Sequence, residues 1–526
     1  MTKYLINRIL RALLSTIIVV GVIMVMVYTF LDKTSIFAED PVFNKQRLNG
    51  RETYMMQQWE QFGYLDYVPY SDYLKNEMRE GNLDQETYNS AVKLGKDAER
   101  DSELTAQYVQ KFVEKYESEG YQITRLEGKY KPGTKKYKEG GDPRLFAHKD
   151  IPLAKRLLKF FTELFHVDNI HFATGDVGER GLSFTWYDPA YGGEKFSPAI
   201  MGNGTMHKYL LYFDDQFPYI HQNLLTINLG KSFSVNRGID VFSTMTDKQG
   251  GFHRSIVTYP SGLVEETADD LHSLTYVEAS LGASDLNQKY YVDDYTSVTT
   301  ARDGFSKMGY SFVIGIISVI LAYTLALPLG ILMALKKDKF IDKLGTFYIV
   351  FIMAVPSLGY IFLFKAIGNV VIGAEYTTFN MENPSWLMYV LPIVSLALPS
   401  IANLMKWLRR YMIDQANADY VKFARSGGLS EGEIFRKHIL KNAIIPVVHG
   451  IPGSVLGALT GAIITERVYL VPGIGNVLTT AINKYDNGVI VGVALFYALL
   501  SVTSFILGDV LMSMLDPRIS FSSKSR

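Results

Sequence analysis

The sequence predicts an α-helical polytopic membrane protein of six transmembrane helices with a large α+β extracellular domain between the first and second. Three observations predict it. An uncharged apolar run occupies residues 12–31, and five more lie in the C-terminal part. A polar, tyrosine-rich stretch, residues 32–307, separates the first run from the rest. The basic residues of the short connections fall on alternate loops.

The first run follows Lys3, Arg8 and Arg11 and is 20 residues long. As a helix it covers about 30 Å, one bilayer core. It exceeds the apolar part of a usual signal peptide, and no A-x-A site follows at TFLDKTS, so it reads as an uncleaved first helix with its N-terminus inside. The further runs are 308–335, 344–364, 383–405, 442–465 and 487–508, all uncharged and at least 21 residues long. Each can span.

Six spans put both termini on one side. Lys336, Lys337, Lys339 and Lys343 lie in one connection, and residues 406–441 hold eight Lys and Arg. The opposite connections, 365–382 and 466–486, have few basic residues. By the positive-inside rule both termini and the basic loops are cytoplasmic, and residues 32–307 lie outside. The expected units are therefore 1–31, 32–307 and 308–526, the last with a cytoplasmic loop at 406–441.

Formal net charge is zero, from 53 Lys and Arg against 53 Asp and Glu, which gives no support to nucleic-acid binding. There is no cysteine, hence no disulfide framework and no thiolate chemistry. In the outer stretch, helical patterns appear at 51–62, 84–96, 102–116 and 152–165. Strand-like runs appear at 122–126, 182–187, 255–259 and 290–295, punctuated by Gly and Pro clusters at 131–134, 140–143 and 191–193. No internal repeat is visible. The ring-rich stretch 64–73 fits a peptide-contacting surface or, more commonly, a packed core.

Several motifs fail as chemistry. Leu229-Gly230-Lys231-Ser232 ends like a phosphate loop, but position 225 is Leu where that loop needs Gly. His166 and His171 are five apart, the wrong spacing for a helix-borne zinc pair. Asp214-Asp215 and Asp293-Asp294 read as solvated loop charges.

The segment 419–443, DYVKFARSGGLSEGEIFRKHILKNA, carries more. Tyr420, Phe423, Ala424 and Gly427 share one helix face. Gly427-Gly428 then ends that helix, because glycine readily adopts the left-handed conformation. Ser430 and Glu433 form a capping box for a second helix, with Leu429 and Ile434 placed for a hydrophobic staple. A plain basic loop needs none of this; a compact helix–turn–helix with a basic rim suits docking into a partner's groove.

In the membrane part, Pro328, Pro356, Pro392, Pro399, Pro446 and Pro452 fall in or at spanning segments, a pattern that suits a bundle around a pathway. Lys365 and Glu466 lie at outer helix ends and are expected to snorkel. Asp509, at the inner end of the last helix, either reaches the interface or pairs within the bundle, the interface being favoured. His449 reads as a satisfied histidine at a helix contact.

A family resemblance rests on four stretches. DYVKFARSGGLS and RKHILKNA resemble the peptide-permease version of the EAA loop, although only Ala424 and Gly428 fit its general consensus. ERVYLVPGIGNVL at 466–478 resembles the family's E-x-V-F-x-x-P-G-x-G-x-L segment, and LDPRI at 515–519 its ending. SFSVNRGIDVF at 232–242 resembles the segment before the second helix; 62–74 and 153–165 resemble the first outer loop more weakly. The chain thus resembles the permease subunits of binding-protein-dependent (type I) oligopeptide ABC importers, nearest to the streptococcal subclass with an enlarged outer domain.

The resemblance implies a plasma-membrane subunit of a Gram-positive bacterium that passes oligopeptides. It would pair with a second homologous permease, two cytoplasmic ABC ATPases and an extracellular lipid-anchored peptide-binding protein. ATPase coupling would fall to Asp419, Tyr420, Lys422, Phe423, Ala424, Arg425, Gly427, Gly428, Leu429, Ser430 and Glu433, with Lys422 and Arg425 facing acids of the ATPase. Pro356, Pro399, Glu466, Pro472, Gly473 and Gly475 are candidates for the path or its gate. The chain would be no enzyme and would bind no cofactor or metal; ATP and Mg would be used by the ATPases. The alternatives are an importer of another solute, or a membrane-anchored receptor or ectoenzyme. The outer domain could seat the binding protein, shape a vestibule or guard the entrance.

Overall fold

Helices dominate wherever the sequence is apolar, because backbone groups in lipid must bond within their own segment. The structure, a computed structural model, describes residues 2–38, 40–96, 100–167, 181–187, 196–203, 209–213, 220–222, 225–246, 248–250, 252–253, 255–258, 264–267, 301–302, 304–381 and 385–515. The 191–193 turn, His171, the acid pairs 214–215 and 293–294, the strand expected at 290–295 and the LDPRI ending beyond Leu515 lie outside the described residues.

Among the described residues, four helices are long and apolar enough to span: α1 (Thr2–Phe30), α6 (Lys307–Leu335), α9 (Leu387–Ala416) and α15 (Asn487–Leu515). The runs at 344–364 and 442–465 differ from the straight spans expected. The first is the pair α7 (Phe340–Ala354) and α8 (Ser357–Val371), bent by 106°. Pro356 is the cause: it has no N–H to continue α7, and it holds Val355 extended at ψ 128°. In the second, Glu431–His449 meets α13 (Ile451–Tyr469) at 43° around Gly450, with Pro452 in the first turn of α13. Pro328, Pro392 and Pro399 sit inside α6 and α9 without breaking them.

The first part of the region between α1 and α6 is a three-stranded antiparallel sheet, with β1 (Leu65–Pro69) and β2 (Gln122–Leu126) flanking β3 (Arg144–Asp150). Helices α2 (Asn49–Gln61), α3 (Tyr70–Arg79) and α4 (Glu103–Ser118) pack around it. The Ser102 side chain caps α4 by accepting from the Thr105 N–H at 3.2 Å. The ring-rich stretch is core: Tyr64, Tyr67, Tyr70 and Tyr73 are buried, the last two against Phe112 and Tyr116 of α4. Beyond α5 (Leu153–Glu163), β4 (Phe165–Val167) pairs with β9 (Leu225–Ile227). Between them β5 (Gly181–Tyr187), β6 (Phe196–Asn203), β7 (Tyr209–Phe213) and β8 (Ile220–Gln222) form a four-stranded antiparallel meander.

One carboxylate joins this region to the helices. Asp486, fully buried, caps α15 by accepting from Val489 N–H at 3.2 Å. Its other oxygen accepts the Ser232 hydroxyl at 2.7 Å and the N–H groups of Phe233, Ser234 and Val235 at 2.9, 2.9 and 3.0 Å. Around it, Leu229, Val241 and Met245 share one core with Val20, Met24 and Val27 of α1 and Val489 and Val493 of α15. Gly488 is needed there, since a Cβ would stand 2.6 Å from the Lys231 carbonyl oxygen. Asp486→Ala would strand four N–H groups and the Ser232 hydroxyl. It is expected to destabilise the fold by about 3 kcal/mol or more, read as a lower unfolding midpoint in detergent and faster proteolysis within 230–240. An unchanged midpoint would remove Asp486 as the anchor.

Candidate functional site

The loop at 406–441 is shorter than its sequence suggests, because α9 continues through Arg409 and Arg410 to Ala416. Arg409 is held there by Asp342 at the start of α7, with Nε and Nη2 donating at 2.6 and 2.7 Å. The remaining chain forms α10 (Asp419–Ser426), α11 (Glu431–Ile434), one π-helical stretch (Phe435–Leu440) and α12 (Lys441–His449).

Every residue expected in the docking element falls within this unit, but its inward face is different. Val421 is fully buried with Leu408 and Met412 of α9, Ile434, and Ala443 of α12. Ala424 packs against the same cluster, whereas Phe423 is 81% exposed. The face expected from Tyr420, Phe423, Ala424 and Gly427 is therefore divided. Val421 and Ala424 seat the helix, and Phe423 projects from it.

Gly428 adopts φ +84°, while Gly427 remains at −76°. The Leu429 N–H donates to the Ala424 carbonyl and the Gly428 N–H to that of Arg425, closing the paired bonds of a Schellman turn. The capping box is complete between Ser430 and Glu433, with Ile434 buried and Leu429 at the surface.

The charged rim is engaged within the loop. Lys422 donates to Asp419 at 2.9 Å, and Arg425 forks onto Glu431 at 2.6 and 3.1 Å. Hydrogen bonds from Lys422 and Arg425 hold the carboxyl groups of Asp419 and Glu431 below their ordinary range, and the Ser430 hydroxyl does so for Glu433. These groups are solvent-exposed, so the pairs set geometry more than stability. Tyr420 is the mechanical link. Its hydroxyl donates to the Gln415 amide oxygen at the end of α9 and accepts from Asn442 Nδ2 of α12 at 3.0 Å. Asn442 also donates to the His438 carbonyl in the π-helical stretch at 2.9 Å.

α9 and α12 lead from this unit to a cavity of about 550 Å³ shared with α6 and α13. Pro399, Asn403, Trp407, Tyr323, Pro446 and Ser454 are among its lining residues. Of the path candidates, Pro399 lines this cavity and Pro356 forms the α7–α8 bend.

Glu466, Pro472, Gly473 and Gly475 make a different device. Glu466 does not snorkel: it is fully buried, accepting from the Ser311 hydroxyl at 2.5 Å and the Asn476 N–H at 3.1 Å. The carboxyl group thus sits at the N-terminus of α14 (Ile474–Asn483). A Cβ on Gly473 would lie 2.3 Å from the Glu466 carboxyl carbon, and one on Gly475 2.5 Å from the Ile463 Cα. Local burial against a ready set of donors outweighs the pull toward water.

Lys365 likewise donates to the Val468 carbonyl at 2.6 Å. Asp509 pairs with Arg8 of α1 rather than standing free, because α1 and α15 lie side by side. His449 is satisfied by the Gly508 carbonyl at 2.9 Å. Lys231 and Ser232 belong to the Asp486 anchor, where Ser232 is a buried donor. Sequence reasoning missed the Asp342–Arg409 and Asp486 contacts; for Asp486, its place just before a long apolar helix was the available capping signal.

Comparison with known proteins adds the family. The model of the binding-protein-dependent transport system inner membrane component matches residues 326–521. The oligopeptide transport system permease protein AmiC of Streptococcus pneumoniae serotype 4 is 33% identical over 534 residues, covering 100% of this chain and 99% of its own. The dipeptide transport system permease protein DppB of Bacillus subtilis is 29% identical over 215 residues, 41% of this chain and 68% of its own. The oligopeptide transport system permease protein AppB of the same organism is 26% identical over 224 residues, 41% and 71% respectively.

The crowding at the Glu466 clamp predicts a contrast between two glycines. Gly475→Ala should destabilise by about 2 kcal/mol through overpacking. Gly457→Ala, where nothing lies within 4 Å of the added carbon, should be neutral or slightly stabilising within its helix. Unfolding midpoints of the purified variants measure both, and equal midpoints would refute the clamp.

Proposed function

The chain belongs to the binding-protein-dependent transport permeases, and from that premise we infer that it is the peptide-importing permease subunit of an ATP-binding-cassette transporter. The observation that carries this reading is 33% identity to AmiC along the full length of both chains. The chain is a helical multipass membrane protein and is not itself an enzyme.

Six spans place both termini in the cytoplasm and residues 32–307 outside a Gram-positive plasma membrane. The substrate is an oligopeptide, delivered by a lipid-anchored binding protein. A second homologous permease completes the path, and two cytoplasmic ATPases bind ATP and Mg, so this chain needs no cofactor.

The inner unit supports a coupling mechanism. Phe423 is the knob that enters a groove of one ATPase. Gly428 keeps the turn thin: a Cβ there meets nothing within 4 Å in this chain, while its φ of +84° favours glycine, so a bulky side chain would strain the turn as well as meet the partner. Lys422 and Arg425 hold Asp419 and Glu431, which keeps α10 in shape; acids of the ATPase would have to compete for them. When the ATPases close, displacement of α10 is transmitted through Val421 packing and the Tyr420 hydroxyl to α9 and α12, which wall the inner cavity. The Glu466 clamp holds the outer end of α13 while the inner ends move.

Gly428→Trp tests this. The variant should reach the membrane in normal amount yet lose at least about tenfold of ATP-driven oligopeptide uptake, and Phe423→Ala should fall in the same direction. Normal uptake by inserted Gly428→Trp would overturn docking at α10. Mild-detergent purification should recover the second permease, the ATPases and the binding protein; recovery of the chain alone would overturn the assembly.

A further inference from the structure

A second cavity, of about 240 Å³, lies where the outer end of α1, the start of α15 and helix α5 meet. Arg156 of α5 lines it. The guanidinium occupies the corner between the rings of Tyr28 and Tyr64, 3.9 and 4.0 Å from their centroids. The rings stand at 84° to each other. Stacking of this kind satisfies the faces of a guanidinium and leaves the N–H groups on its edge to find acceptors. Arg156 Nη2 is buried without a well-aligned hydrogen-bond partner among the described residues, although the guanidinium also interacts with the Tyr28 and Tyr64 hydroxyls.

Asn487 Oδ1, on the facing wall, is likewise buried and unpartnered, while its Nδ2 meets the Tyr64 hydroxyl at 2.5 Å. Exchanging the amide atoms would only change which one is orphaned. Lys159 and Lys231 add positive charge to the lining, against Glu163 in the lining and the buried Asp486 close to Tyr28 and Tyr64. A buried cation edge with unused donors is costly unless an anionic acceptor meets it.

The position of the cavity narrows the ligand. Met24 and Tyr28 lie near the outer end of α1, and Asn487, Gly488 and Val491 in the first turns of α15, so the cavity is level with the outer bilayer boundary. Helix α5 is a basic amphipathic helix, LAKRLLKFFTE, with Leu157, Phe160 and Phe161 packed against α1 and α15 and Leu158 65% exposed. That composition suits a helix lying in the lipid interface. The cavity shares no lining residue with the inner cavity at Pro399, which argues against a peptide in transit.

We propose that this cavity binds a phosphate group presented by a phospholipid of the outer leaflet. One phosphate oxygen accepts from Arg156 Nη2, with Lys159 and Lys231 supplying the surrounding positive field. Asn487 Oδ1 accepts from a hydroxyl or ammonium of the headgroup, and Met24 and Val491 meet the first carbons of an acyl chain. A lipid so held would wedge the outer region onto α1 and α15. The inference rests on the proposed topology, but lipid binding is read independently of peptide uptake.

The test is native mass spectrometry of the full-length chain, purified within its complex and titrated with phosphatidylglycerol. The wild type should retain one tightly bound lipid that excess inorganic phosphate does not displace. Arg156→Gln should weaken retention by about tenfold or more. Lys159→Glu, which alters an exposed side chain, should weaken it in the same direction while leaving the lipid-free unfolding midpoint unchanged. Lipid retention equal to wild type in both variants would overturn the proposal, as would wild-type retention no higher than background. Displacement by inorganic phosphate would overturn the lipid assignment and leave a free-anion site.

Discussion

Four donors from residues 232–235 converge on one oxygen of Asp486, and the other oxygen caps the first turn of α15. Each of these donors offsets part of the cost of burying the carboxyl group. The consequence is positional. The chain returning from the outer region must approach α15 in one register, and that brings Leu229, Val241 and Met245 onto α1 and α15. The cavity at Arg156 exists because these elements meet there.

Glu466 repeats this logic at the other end of the same outer connection. It too is fully buried and takes a hydroxyl and a backbone N–H. The connection between α13 and α15 is thus pinned at both ends by acids whose partners are backbone groups and serines. Such contacts depend on backbone geometry, which is why Gly473, Gly475 and Gly488 leave no room for a Cβ. The inner face is built differently. In the α10–α11 unit the charges are paired with each other and exposed, and α10 is held mainly by Val421 and the Tyr420 hydroxyl, while the neighbouring Asp342 is buried against Arg409. The α13–α15 connection is thus locked by buried acids, whereas α10 is joined to α9 and α12 through one small apolar seat and one hydroxyl.

Much of the inner unit was legible because its signals are local. A double glycine, a capping box three residues apart and a periodic face each need only neighbouring residues, and the Schellman turn at Gly428 and the Ser430–Glu433 box follow directly. The choice between Val421 and Phe423 as the seated residue was not legible, since both are apolar and only the position of α9 and α12 decides which is covered. The outer helices at 49–61, 103–118 and 153–163 and the strand at 122–126 were visible as patterns. Strand β3 was not, because its buried run Leu145-Phe146-Ala147 is too short to carry a period.

The sequence alone determined the class of protein, the number of apolar runs and the family, since hydropathy and short motifs are properties of contiguous residues. The tertiary structure decided where the acids and cations go. Asp486 meets residues some 250 positions away, Asp509 meets Arg8 and Asp342 meets Arg409, and Glu466 and Lys365 turn inward to serine, backbone N–H and carbonyl partners instead of water. A lone charge at a helix end carries no local mark of its partner. Its choice between water and burial depends on donors and acceptors that only folding brings within 3 Å.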